Sequence, residues 1–156
     1  MPNRIIKESI CTSDNIDGLS WFEEVLFYRL IVNCDDHGRF DGRVSIIKNR
    51  LFPLKENITA KSIEAAICKL VNVRLVALYM FEGKLYLHLP TWDSHQTVRA
   101  HKSKYPAPED GVRVIDFNGT PMKSSEIICK QMQADAPVIQ SNPIQSESNP
   151  NRYHPP

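Results

Sequence analysis

Residues 59–90 read TAKSIEAAICKLVNVRLVALYMFEGKLYLHLP, and two periodicities inside this stretch decide the fold. In its first half Ile63, Ile67, Leu70 and Val71 recur at spacings of three and four, which lays them along one face of an α-helix. Thr59 is a good N-cap, because its hydroxyl can accept an amide of the first turn, so the pattern predicts a helix from Thr59 to about Val73. The other face carries Lys61, Ser62, Ala65, Lys69 and Asn72 and is small, polar and basic. In the second half the period drops to two, the signature of a strand. Residues 75–81 (LVALYMF) and 84–90 (KLYLHLP) alternate on either side of Glu82-Gly83. Leu85, Leu87 and Leu89 fall on one side of the second run, Tyr86 and His88 on the other, and a tight β-hairpin follows.

Working upstream, Ser20 followed by Glu23 is a capping box, in which each side chain satisfies an orphan amide of the first turn. It starts a helix that runs to about Cys34. Phe22, Val25, Leu26, Leu30 and Val32, with Trp21 and Tyr28, make this helix apolar over much of its circumference, as a central helix would be. It stops at Asp35-Asp36-His37-Gly38, where Gly38 supplies the left-handed residue that ends helices. A shorter helix, Val44 to Leu51, ends ahead of Pro53. Helix, helix, helix, hairpin is the order of a winged helix-turn-helix. The expectation is therefore an α+β fold of three helices plus a β-hairpin wing.

Downstream the composition changes. Eight of the 11 prolines lie at or beyond Pro106, and the closing QSNPIQSESNPNRYHPP holds almost no large apolar residues. Such a segment buries too little surface to offset chain entropy, so residues from about 134 onward are expected to be disordered. Residues 112–117 (VRVIDF) read as a short strand and residues 124–133 (SSEIICKQMQ) as a short serine-capped helix, neither with an obvious partner. The division expected is a DNA-binding domain over residues 1–105 and a flexible Pro/Gln/Asn-rich tail over residues 106–156.

Charge is balanced overall, with 19 Lys and Arg against 18 Asp and Glu, but it is segregated. Residues 1–42 carry four basic and eight acidic side chains, whereas residues 43–104 carry eleven basic and four acidic, a net of +7. That second stretch suits a polyanion. The four cysteines form no C-x-x-C pair and follow no secretory signal, so reduced thiols in a cytoplasm are expected. No apolar run approaches the roughly 18 residues that cross a bilayer, so no membrane role is expected. Neither a glycine-rich phosphate loop, a nucleophile-elbow serine nor a usefully spaced carboxylate pair occurs, and neither an enzyme nor a cofactor is expected.

The stretch TWDSHQTVRAHKSK (91–104) offers Asp93, His95 and His101, residue types that bind metals. Nothing in their spacing fixes them on one helix or ββα unit, so the structural reading is preferred. Trp92 then packs against the hairpin and the first helix, and Asp93, His95 and Gln96 hydrogen-bond the turn out of the wing. Arg99, His101, Lys102 and Lys104 form a basic tether for phosphate. Cys34 and His37 have ligand-like C-x-x-H spacing but no second pair, and Asp35 to Gly38 reads as a helix stop, so no metal is expected. In a winged helix the third helix enters the major groove. Lys61, Ser62 and Ala65 then face base edges, Lys69 and Arg74 meet phosphates, and Lys84 at the wing tip is a further phosphate contact. Arg39, Arg43, Lys48 and Arg50 surround the second helix and either hold phosphates or solubilise the surface. Glu23 and Glu24 serve the helix dipole and cap rather than acid–base catalysis.

Five segments fall in register with one family: LSWFEEVLFYRL (19–30), DDHGRFDG (35–42), LFPLK (51–55), EGKLYLHLPTW (82–92) and DSHQ (93–96). Over residues 4–104 the chain resembles the winged-helix N-terminal domain of phage and prophage replication proteins, the replisome-organiser group related to DnaD of low-GC Gram-positive bacteria. The resemblance implies binding of double-stranded DNA at a phage origin, remodelling of that DNA, and recruitment of a helicase loader or other replisome proteins, usually as a homo-oligomer. Such proteins often carry a further helical domain that touches single-stranded DNA and the helicase or its loader. About 50 proline-rich residues stand there instead, so helicase recruitment is not carried over. Two rivals share the features above: a winged-helix transcriptional regulator, and a protein-interaction module whose acidic first helix binds partners.

Overall fold

Caps and apolar periods place three helices as the sequence predicts in the computed structural model, which describes residues 3–121. The elements are α1 (Asp14–Asp17), α2 (Trp21–Asn33), β1 (Arg39–Asp41), α3 (Val44–Leu51), α4 (Ala60–Asn72), β2 (Ala77–Phe81), β3 (Lys84–His88), α5 (Trp92–His95) and β4 (Val112–Val114). Helices α3 and α4 pack on α2 and on each other, and the strands form one antiparallel sheet in the order β1-β3-β2-β4. The architecture is mixed α+β. No described helix is long and apolar enough to cross a membrane.

The capping box of α2 is closed in both directions, with the Glu23 carboxylate accepting the Ser20 amide at 2.7 Å and the Ser20 hydroxyl accepting the Glu23 amide at 3.4 Å. Burial of Leu26, Phe27, Leu30 and Ile31, at about 1.5–3 kcal/mol each, then fixes which side of α2 faces inward. The apolar residues do not wrap it completely, because helices pack on one side only. Trp21, Val25 and Val32 lie exposed along its outer side. The Arg29 guanidinium donates to the Leu51 carbonyl and lies 4.5 Å from the Phe52 ring centroid, which ties the end of α3 to α2.

Helix α4 buries Ile63, Ala66, Ile67 and Leu70 and ends in a Schellman turn. The Leu75 amide donates to Leu70 O at 2.9 Å and the Arg74 amide to Val71 O at 3.0 Å. Arg74 itself takes the left-handed conformation, φ 61°, where glycine is usual. The chain then enters β2, turns through Glu82 (φ 48°) and Gly83 (φ 72°) as a two-residue hairpin loop demands, and returns along β3. Phe40, Leu87, Leu78 and Val114 form one cross-strand row that joins the helical core.

Beyond α5 the chain doubles back over the other face of the sheet. Arg39 Nη1 donates to Tyr105 O at 3.3 Å and the Tyr79 hydroxyl to Pro106 O at 2.9 Å. The rings of Tyr79 and Tyr86 stack 5.6 Å apart, and Tyr105 lies 6.1 Å from Tyr86. Strand β4 then pairs with β2, so the sheet continues past residue 105, where the sequence placed the boundary. The predicted strand at 112–117 is shorter than expected and does have a partner, which pattern alone could not name because it lies far back in the chain. Gly111 allows the close approach: a Cβ there would stand 2.7 Å from Met80 O. The helix predicted over 124–133 and the disorder predicted from 134 lie outside the described residues.

The segment before α1 also docks, although no local pattern in it announces this. Arg4 pairs with Asp36 at 3.0 Å, donates to Cys34 O at 2.8 Å and lies 4.9 Å from the Trp92 ring centroid. Trp92 donates its indole N–H to Asp36 O at 2.8 Å, and Gly38 is pressed against the indole, where a Cβ would stand 2.6 Å from Cγ. The Gln96 amide group clamps both backbone groups of Ile5.

Candidate nucleic-acid interface

Because α4 turns Ile63, Ile67 and Leu70 into the core, its opposite stripe must face outward. Lys61, Ala65, Lys69 and Asn72 stand at i, i+4, i+8 and i+11 and share that stripe, with only Lys69 partly covered. Ala65 leaves the middle of the stripe shallow. Ser62 is engaged locally: its hydroxyl accepts the Thr59 amide at 3.1 Å and donates to Thr59 O at 2.8 Å, completing the N-terminal cap. The signal was present in the sequence, since Thr59 precedes Ser62 by the three residues a capping box requires.

Arg74 is exposed at the end of α4, and Lys84 is exposed at the start of β3. Lys61, Lys69, Arg74 and Lys84 make no ion pair among the described residues. One border of the stripe is acidic. The Cys68 thiol is raised above its ordinary range by partial burial first, then by the Asp116 and Glu64 carboxylates nearby. Asp116 is held there by its own turn, accepting from the Thr120 hydroxyl at 2.7 Å.

The basic residues after α5 do not join α4. Ala100 is pinned by its amide to the Asp36 carboxylate at 3.1 Å and through its carbonyl to the His37 ring at 3.0 Å. Lys102 and Lys104 line a cleft together with Arg43 and Arg50, to which neither α4 nor the hairpin contributes a residue. Arg99 stands exposed in the segment leading there. The structure therefore divides the nine expected contacts: Lys61, Ala65 and Lys69 belong to α4 and Arg74 to the turn that ends it, Lys84 to the hairpin, Lys102 and Lys104 to the cleft, Arg99 to the exposed segment leading to it, and Ser62 to a cap.

Asp93, His95 and His101 are exposed, and Cys34 is buried with its thiol pushed well up by that burial. Among the described residues no three His, Cys, Asp or Glu side chains are grouped as metal ligands. Trp92 is 4% exposed, against the hairpin exit and the end of α2. Asp35, in sequence one residue of a helix stop, organises the loop after α2: its carboxylate accepts the His37, Arg39 and Lys104 amides and the Ser103 hydroxyl. No protein family, curated protein or solved structure matches the chain.

Proposed function

We propose that the chain is a winged-helix protein that binds double-stranded DNA in phage-type replication initiation, with α4 as the groove-reading helix and the β2–β3 hairpin as the wing. The order α2, β1, α3, α4, β2, β3 supports the winged-helix reading. The observation that carries duplex binding is the outward stripe of α4, whose lysines have no partner of their own among the described residues and whose shallow centre admits close approach. The replication role rests on the resemblance of residues 4–104.

Fluorescence anisotropy of the full chain on a random duplex tests this reading. If Lys69, Arg74 and Lys84 each meet a phosphate, counterion release predicts an affinity loss of about 40-fold between 50 and 200 mM salt. Lys69→Ala weakens all duplexes alike and flattens the salt slope by about one. Lys61→Ala instead relaxes preference at one base position by about 1–3 kcal/mol. Absence of duplex binding at low salt sinks the proposal. The outer side of α2, where Trp21 is 85% exposed, favours one rival, a protein-interaction module. Its partner would bind with little response to salt and be lost in Trp21→Ser.

A further inference from the structure

We infer that the cleft bounded by the end of α2, β1, α3 and residues 100–105 holds an unpaired nucleic-acid strand, as a second site separate from α4. Its volume is about 550 Å³. That lies within the roughly 300–1,000 Å³ of pockets that take small organic ligands, enough for a nucleotide of a single strand. A duplex, whose major groove alone is about 12 Å wide, is too broad to enter.

The electrostatics follow from how the three carboxylates in its wall are used. Asp35 accepts three amides and a hydroxyl, Asp36 is paired with Arg4 and the Ala100 amide, and Asp41 is paired with Arg43 at 2.6 Å. All three are hydrogen-bonded within the protein, and two of them are paired with a cation. Arg50, Lys102 and Lys104 are exposed and make no ion pair among the described residues, so in this lining they outnumber Asp35, the one carboxylate there without a cation paired to it. Such a lining concentrates a polyanion. Beside it stands the half-buried ring of Tyr105, packed 6.1 Å from Phe40, while Val32 and Ile46 supply apolar wall. A base gains from stacking on an aromatic ring while its phosphates meet the cations, which is how strands are bound without sequence preference. An acidic peptide would use the cations and leave the aromatic and apolar wall unpaired.

The experiment compares two variants of the full chain, Arg50→Ala/Lys102→Ala/Lys104→Ala and Lys61→Ala/Lys69→Ala, on a labelled oligothymidylate of about twenty nucleotides and on a random duplex. All substituted side chains lie at the surface, and unchanged melting temperatures verify the fold. The cleft variant is expected to lose at least about tenfold on oligothymidylate and less than about threefold on duplex, with the α4 variant showing the reverse. Failure of the unaltered protein to bind oligothymidylate overturns the inference. So does an equal loss on both DNAs, which would make the cleft a flank of the duplex site, or displacement by polyglutamate as effective as by unlabelled oligothymidylate. Cleft-dependent binding of oligothymidylate without any duplex binding upholds the cleft and removes the duplex reading instead.

Discussion

Arg74 is the residue at which stability and charge pull apart. A left-handed backbone costs an ordinary residue roughly 1–2 kcal/mol, which glycine avoids. Arg74→Gly removes that strain, at φ 61°, but also adds unfolded-chain freedom, and the expected net is a gain of about 0.5–1 kcal/mol in urea unfolding. The same change removes an exposed cation from the end of α4, and the duplex salt slope should flatten by about one. A variant that is more stable and still binds with an unaltered slope would show that Arg74 touches no phosphate. Single residues were unevenly legible in the sequence. Gly38 does take the left-handed conformation, φ 71°, but α2 already ends at Asn33 with an extended Cys34, and the glycine instead turns the chain from Asp35 into β1; its contact with Trp92 was hidden because the indole arrives from far along the chain. The bonds of Ser62 to Thr59 are legible in the three-residue spacing, although a serine on an outward helix face reads equally well as a contact residue.

At the scale of elements, α2, α3, α4 and the hairpin were readable because caps, apolar periods and turn residues all lie within each segment. Strands β1 and β4 are three residues long and exist through their partners, so nothing within them announces a strand as clearly. The path over the sheet's outer face was equally hidden. This gives a direct test, since a chain ending at residue 105 would lack both β4 and the cover of Tyr79, which is 0% exposed. Compared with a chain ending at 121, it is expected to lose at least about 3 kcal/mol in urea unfolding, the scale of uncovering one large aromatic plus an apolar strand residue. Equal stability of the two would mean that β4 only decorates the sheet. Gly111→Val in the full chain should weaken the same pairing, because a Cβ there meets β2 backbone.

For the whole molecule, the charge asymmetry read from the sequence survives folding in a modified form. The acidic residues around the end of α2 are largely spent on internal contacts, and it is the basic residues that remain uncommitted. Those internal contacts set the response to acid. The Arg4 hydrogen bond holds Asp36 below the ordinary carboxylate value of 3.8; Asp41 is held below it by Arg43 although burial, its largest influence, works the other way. A lowered folded value means stability that is present above the unfolded value and lost as pH falls through the folded one. His88 is lowered by burial and then by Arg113, and its Nδ1 has no hydrogen-bond partner among the described residues. The unfolded chain therefore takes up a proton first, and stability should start to fall as pH drops below about 6.5, well before the carboxylates contribute. Thermal melts from pH 7.5 to 5 should slope downward, and His88→Gln should flatten that slope. An unaltered slope would assign it to another group. Finally, the two tryptophans sit in opposite surroundings, Trp21 almost bare on α2 and Trp92 sealed beneath Arg4 and Gly38. They divide the chain's own fluorescence into two channels: iodide should quench Trp21 alone while the protein is folded, and only denaturant should bring Trp92 into reach, so one cuvette reports events on the outer helix and loss of the interior separately.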